Sequence, residues 1–354
     1  MRAESLQFLK DLIAAPSPSG FEQPAQRVVR ARMEQYADEI STDVHGNVMV
    51  VKNPDHPLRV MLAGHCDQVG MMVQHITDEG YIHFVAIGGV DPVIIIGTRV
   101  VIHAAKGPVL GVIGRKPIHL LTPEERSNPK LSLDKLFIDI GAKDLKAARK
   151  RVTLADPITF QADFQELDRD LVAAAGFDDK MGTFVCMEAF RLLARRRLDC
   201  GLYAVSTVQE EVGLRGARTA CYGIDPVVGI AVDVTHASDY PGCEKARQGD
   251  IKIGAGPTIA IGPNINPMVG KMLVETAEQK KIPHQLDPAP GGTGTDANAM
   301  QISRAGVAAG LVSVPNRYMH TPVEVISLSD LENAAKLVAE TVARINPDVD
   351  FTPL

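Results

Sequence analysis

From about residue 170 onward the chain alternates helical stretches with short apolar ones, and that alternation limits the fold more than any other feature. "MGTFVCMEAFRLLARRR" reads as a helix and "GLYAVSTV" as a strand, with further strands at "VVGIAVDV" and "AAGLVSV". Such alternation argues for an α/β sheet domain. The first 69 residues fit the same scheme, reading as helix, helix, then strands "NVMVVK" and "LRVMLAGH". A final helix is signalled by Ser329 and Glu332, spaced as a capping box ahead of Leu331, Ala335, Val338, Val342 and Ile345.

The middle breaks the pattern. Between roughly 70 and 165 the chain consists of short β-branched runs punctuated by glycine, such as "YIHFVAIGG", "VIIIGTRVVIHAAKGPVLGVIG" and "LFIDIGA". This stretch reads as an all-β insertion folded as a small barrel. The expected organisation is therefore a discontinuous α/β domain, residues 1–69 and 166–354, interrupted by a barrel at 70–165. Neither internal repeats nor low-complexity segments are visible.

Composition agrees and removes some functions. A chain of 354 residues with 45% hydrophobic content exceeds the usual single domain and has ample apolar residues for a core. The net charge of −6 is spread along the chain, which argues against nucleic acid or an anionic membrane as partner. Charges interrupt the apolar pattern of "MRAESLQFLKDLIAAPSPSG", which reads as an amphipathic helix rather than a signal peptide, and no apolar run approaches membrane-spanning length. The five cysteines are odd in number and form no CxxC pair, which favours a reduced, cytoplasmic setting.

Polar residues recur where the strands end. "VMLAG" runs into His65, Cys66 and Asp67; "VQ" into Glu210 and Glu211; "GIAVDV" carries Asp233; and "LVSVPNRYMH" delivers His320. In open α/β sheets ligands bind beyond the carboxyl ends of the strands. A further pair, Asp178 and Asp179 in "GFDDKMG", precedes a helix. Histidine and carboxylate without cysteine form the ligand set of a catalytic zinc or a harder divalent ion. Two histidines with three or four carboxylates exceed what one tetrahedral ion needs and suit two ions roughly 3.5–4 Å apart, bridged by a carboxylate and a water.

Taken singly, each piece has a plainer reading. An HxD at a strand end is ordinarily a hydrogen-bonded turn, paired acids a solvated turn, Asp233 a turn cap, and His320 a loop histidine. Cys66, between His65 and Asp67, invites a nucleophile reading, but strand alternation points it to the opposite face. The joint pattern favours metal, because independent turns have no reason to place such residues at successive element ends. Adjacent Glu210 and Glu211 would then divide the work, one binding metal and the other taking a proton.

With these segments in view, the chain resembles the tetrahedral (TET) aminopeptidases, dinuclear metallo-aminopeptidases whose members have often been labelled endoglucanases or cellulases. The resemblance runs from "PSPSGFE" through "HCDQVGMMV", "LFIDIGA", "FDDKMG", "VQEEVGLRGA", "DVT", "GPNINP" and "GTDAN" to "RYMHTPVEV", with "VQEEVGLRGA" and "RYMHTPVE" the most specific in combination. It implies a three-layer α/β/α metallopeptidase domain carrying a barrel used for dimerisation. It makes His65 and Asp233 ligands of one divalent ion, Glu211 and His320 ligands of a second, and Asp178 the bridge. Glu210 becomes the general base on the bridging water, and Asp67 the residue behind His65 that holds its tautomer. The Asp178–Asp179 bond is expected to be a cis non-proline peptide.

The implied cofactors are two divalent ions per subunit, zinc or cobalt first and manganese also a candidate. The implied substrates are peptides with a free N-terminus, and the implied assembly is a homododecamer built from dimers. Cys66, Gln68 and Lys180 depart from the family's usual methionine, glutamate and arginine, and none is a proposed ligand. Three alternatives remain at this point. One is a related dinuclear deacylase or carboxypeptidase. Another is a glycoside hydrolase, disfavoured because zero Trp and 5% aromatic content leave few sugar-stacking platforms. The third is a non-catalytic shell-forming protein.

Overall fold

The structure is a computed structural model that describes residues 1–127, 131–161 and 163–353. Its centre is an eight-stranded sheet. From edge to edge the strands are Glu39–Thr42, Val48–Lys52, Gly201–Thr207, Arg59–His65, Val228–His236, Ala308–Asn316, Thr258–Ile261 and Gln285–Pro288. The middle four run parallel to one another, so their carboxyl ends share one edge.

Alternation along the strands builds the layers. On Arg59–His65, Val60 and Leu62 face a core shared with helices Ala3–Ala14, Gln23–Met33, Phe177–Leu193, Pro267–Lys280 and Leu328–Val342. Met61 and Ala63 face the opposite core, against helices Arg215–Ile224 and Asp296–Gln301. Both faces of these strands are therefore dry, as expected where helices cover a parallel sheet on both sides. Close approach matters at one crossing: a Cβ on Gly64 would run into the backbone of Gly182 and Thr183, so glycine there lets the Phe177–Leu193 helix lie directly on the strand end.

Between the end of the His65 strand and residue 161 the chain forms a closed barrel. Its strands follow the order Gly70–Ile76, Ile82–Ile87, Phe137–Asp139, Gly107–Gly114, Arg99–Ala104 and Pro157–Phe160. The barrel has its own core, with Met71, Ile82, Ile102, Ile138 and Ile158 buried. The architecture is thus mixed α/β with a six-stranded antiparallel barrel. A small sheet of Gln165–Glu166, Leu171–Ala174 and Glu324–Ser327, which sequence patterning does not suggest, joins the barrel's exit to the approach of the last helix.

That last helix begins earlier than the capping-box spacing predicts. It spans Leu328–Val342 with Ser327, not Ser329, at the cap, its hydroxyl accepting from Asp330 N. Asp170, on the neighbouring turn, takes up two amides at the helix start: its carboxylate accepts from Ser329 N at 2.8 Å and its carbonyl from Leu328 N at 3.1 Å. Among the described residues, no helix is long and apolar enough to cross a membrane.

Candidate active site

The polar residues expected at the strand ends do meet. His65 closes its strand in register with Thr207, and Glu210 and Glu211 follow Thr207 on a turn where Gln209 has φ 55° and Gly213 φ 121°. Asp233 lies inside the Val228–His236 strand, and Asp178 sits in the first turn of the Phe177–Leu193 helix. The Asp178–Asp179 peptide is cis.

His65 Nε2 stands 3.3 Å from Asp178 Oδ1 and 3.7 Å from Glu210 Oε2, while His320 Nε2 stands 3.1 Å from Asp178 Oδ2 and 3.5 Å from Glu211 Oε1. Asp178 thus offers one oxygen to each histidine. His65, Asp178 and Asp233 bring ligand-type atoms within 4.8 Å of one another, and Asp178, Glu211 and His320 do the same. A cleft of about 540 Å³ opens over both groups, walled also by Gly89, Leu214 and Met319.

Asp67 belongs to the constellation by a route that differs from the one expected. His65 Nδ1 is held by the backbone carbonyl of Asp67 at 3.0 Å, with the carboxylate farther away at 3.5 Å. The carboxylate instead clamps the acidic turn: Oδ1 accepts from Glu210 N at 3.0 Å, and Oδ2 from Glu211 N at 3.2 Å and Ser19 Oγ at 2.7 Å. Two successive amides and a hydroxyl thus occupy the carboxylate, and the ring nitrogen is left to the backbone carbonyl.

Cys66 is fully buried among Ala15, Ala25 and Val208, and burial pushes its thiol far up, which leaves no nucleophile there. The other two departures from the family pattern face each other. Lys180, wholly buried, donates to Gln68 Oε1 and to Ala15 O at 2.7 Å. Desolvation brings its pKa down to about 7, so a neutral amide suits it as partner.

Two contributors were not legible beforehand, and a third, Asp179, was visible only as the neighbour of Asp178. Glu324, buried at the head of its strand, accepts from His320 N at 2.9 Å and Asp178 N at 3.1 Å, bracing two ligand-type residues by their backbones. Its place four residues beyond His320 in "HTPVE" is the one trace of this in the sequence. Asp179 accepts from His65 N at 3.1 Å and Gly182 N at 3.0 Å, pinning strand end to helix start. The barrel supplies Gly89, whose carbonyl meets His320 Nδ1 at 3.0 Å and whose added Cβ would sit 3.0 Å from that nitrogen.

The electrostatics ask for positive charge. Burial raises Glu210 to about 10, aided by Asp233, Asp296 and Glu211 and opposed by His65. Burial, then Asp178, raises Glu211 to about 8, and Asp233 is raised by burial too. Burial works against charge on His65, yet Glu210, Asp178 and Asp67 outweigh it; the hydrogen bond to Asp178 brings His320 up to about 9. Asp178 falls below the usual carboxylate range because the two histidines together overcome its burial. The histidines cannot balance so many carboxyls, and Glu211 Oε1 is buried with no hydrogen-bond partner. A donor set of imidazole and carboxylate oxygen with an orphaned acceptor fits divalent cations.

Fold and site together define a metal-dependent hydrolase built on an α/β/α core. The chain belongs to the M42 glutamyl aminopeptidase family, whose pattern matches residues 46–337. It is 38% identical over 351 residues to the lysyl aminopeptidase of Pyrococcus furiosus, covering 98% of this chain and 99% of that protein. Among solved structures it is similar to the TET aminopeptidase of the marine sediment archaeon Thaumarchaeota archaeon SCGC AB-539-E09, with a TM-score of 0.93, 35% identity and 98% coverage of each chain. It is also similar to the TET1 peptidase of Pyrococcus horikoshii, which can assemble into a tetrahedron or a large octahedral shell, with a TM-score of 0.86, 30% identity, and 96% and 100% of the two chains covered. Membership makes the chain a peptide hydrolase.

Proposed function

We propose that the protein is an aminopeptidase that removes N-terminal residues from peptides, with Glu210 as general base. The observation that carries this reading is the sharing of Asp178 between two groups of ligand-type residues, with Glu210 beside them at the floor of one cleft. His65, Asp233 and Asp178 would hold one divalent ion, and Glu211, His320 and Asp178 a second. When bound, these ions supply Lewis acidity, polarising a carbonyl and lowering the pKa of water. Glu210 takes the proton of the attacking water on its carboxylate and passes it to the leaving amine. Asp67 keeps the Glu210 and Glu211 amides in place throughout. The surrounding carboxylates favour a substrate's free ammonium, which limits cleavage to the first residue.

Zinc or cobalt is the expected metal, with manganese next. Residues 70–165 are proposed as a dimerisation unit inserted between 1–69 and 166–354, and the assembly as a homododecamer built from dimers, in line with the shells formed by the Pyrococcus horikoshii peptidase. The proposed setting is the cytoplasm, where the five cysteines, all free, stay reduced.

The test is hydrolysis of aminoacyl-anilides and their N-acetylated counterparts, after exhaustive chelation and after return of each metal. Chelation should abolish activity, two equivalents per subunit should restore it, and N-acetylation should block it. Full activity without metal would overturn the metal reading. Preference for the acetylated or C-terminal bond would move the protein to the deacylases or carboxypeptidases.

A further inference from the structure

The floor of the catalytic cleft is formed by His65, Asp178, Glu210, Glu211, Asp233 and His320. In the proposed function its carboxylates are engaged by the metal ions, by the proton in transit and by the substrate's ammonium. The side chain of a substrate's first residue therefore has only the walls to rest on.

Those walls are neutral. Among the described residues they hold no lysine, no arginine and no further carboxylate. Leu214, Val234 and Met319 supply apolar surface, and a Cβ added to Gly213 or Gly294 would meet nothing, so the cleft of about 540 Å³ has room for a long side chain. His236, the one wall side chain beyond the floor that can carry charge, stands exposed at the end of its strand, where water screens it.

Three threonines add hydroxyls to the walls, and their hydrogens are spent within the protein. Thr235 Oγ1 donates to Asp287 Oδ2, outside the cleft, at 3.0 Å. Thr293 Oγ1 donates to Asn298 Oδ1 at 2.9 Å, which leaves the 2.9 Å contact between Thr293 and Thr295 to the hydrogen of Thr295. Asn264 Nδ2 closes the network, donating to Thr293 Oγ1 at 3.1 Å and to Asn298 Oδ1 at 2.7 Å. Asn264 and Asn298 come from "GPNINP" and "GTDAN", so these two segments hold the lip of the cleft with its hydroxyl donors turned away from a ligand. A carboxylate placed there finds no threonine donor, and an ammonium finds no free anion.

We propose that the cleft selects peptides whose first residue is long, neutral and apolar, such as leucine or methionine, and disfavours glutamyl and lysyl ends; this rests on the aminopeptidase reading and specifies its substrate. A charged side chain brought onto these walls loses water without gaining a charged partner. An apolar one buries surface against Leu214, Val234 and Met319 at no such cost. The preference departs from the glutamyl specificity in the name of the family.

Two substrate pairs separate charge from size on the metal-loaded protein: glutaminyl against glutamyl anilide, and norleucyl against lysyl anilide. In each pair kcat/KM should be at least about tenfold higher for the neutral member, and norleucyl should exceed glutaminyl. Calorimetric titration with free L-norleucine, L-glutamine, L-glutamate and L-lysine should give affinities in the same order. A charged member that equals or exceeds its neutral partner would overturn the proposal, as would glutaminyl matching norleucyl. Failure of the aminopeptidase reading would appear differently, as absence of turnover for all four anilides, and the order of the four affinities would then decide the wall chemistry by itself.

Discussion

Replacing Asp67 with asparagine separates the role the structure gives this carboxylate from the tautomer-holding role its sequence position implies. The carboxylate has two oxygens and three donors: Glu210 N on Oδ1, and Glu211 N with Ser19 Oγ on Oδ2. Asparagine keeps one acceptor and presents an NH₂ group at the other position. Placing that group at Oδ1 would set a donor against Glu210 N and beside His65 Nδ1, which lies 3.5 Å from that oxygen. Placing it at Oδ2 strands only Glu211 N, because the Ser19 hydroxyl can rotate and accept. The second orientation wins, so D67N should release the Glu211 amide and spare Glu210. An amide left without its acceptor costs about 1–3 kcal/mol, which converts to a loss of about 5- to 150-fold in kcat/KM if it displaces the side chain from its working position. The damage should fall on the half of the site that Glu211 shares with His320. Steady-state kinetics combined with anomalous diffraction from metal-soaked crystals would read both effects. Parent-level activity with full metal content would refute the clamp. Loss of metal from the His65 and Asp233 half instead would return the carboxylate to governing the histidine, a task the structure gives to the Asp67 carbonyl at 3.0 Å.

Glu210→Gln should retain metal while kcat falls roughly 10²–10⁴-fold, whereas Glu211→Gln should bind metal more weakly and be partly rescued by excess ion; metal analysis beside kinetics would reverse the assignment if E210Q alone lost metal. Gly89→Ala should lower kcat/KM with little change in Tm, because the added Cβ would sit 3.0 Å from His320 Nδ1; parent-like kinetics would show that the barrel loop yields freely. Burial, with Asp67 nearby, raises Glu22 from 4.5 to about 7, so its contribution to stability is full below about pH 4.5 and is lost as pH rises through about 7. Glu22→Gln keeps both hydrogen bonds, since Oε1 alone accepts them, and should gain on the parent by up to roughly 3 kcal/mol between about pH 5 and pH 8; a difference flat in pH would refute this.

What the sequence shows of this site is what one strand or one turn can show. His65, Glu210, Glu211 and Asp233 stand out because apolar runs end in polar residues, and the parallel sheet places those ends together without further help. The barrel is legible for a similar reason, since glycine-punctuated β-branched runs leave little room for helices. The helix start at Ser327 is not legible: two serines compete for the cap, and the choice rests with Asp170, a residue of another element. Glu324, Gly89 and the bracing role of Asp179 escape for the same cause, because each reaches a residue of another element: Glu324 meets Asp178 N, Asp179 meets His65 N, and Gly89 O meets the His320 ring. The direction of Asp67 is subtler. Its residue type and position fit either role, and only the two amides presented together by the Glu210 turn settle where the charge goes.

The barrel enters the chain between the first and second ligand-type residues. The backbone leaves the sheet just after His65 and Asp67, travels round the barrel, and returns to Asp178 at the head of its helix. On the way, Gly88 and Gly89 lie against Glu211 and His320: a Cβ on Gly88 would meet Glu211 Oε2 at 3.3 Å, and Gly89 O already meets His320 Nδ1 at 3.0 Å. His320 is therefore held from two sides, by the barrel at its ring and by Glu324 at its backbone. Its backbone sits at φ 61°, a conformation a non-glycine residue keeps only where its surroundings fix it. The His65 half of the site rests on the sheet, on Asp179 at its backbone and on the Asp67 carbonyl at its ring. A displacement of the barrel relative to the sheet would consequently move the His320 half and leave the His65 half in place, so the two halves of the cleft, though joined through Asp178, differ in what can disturb them.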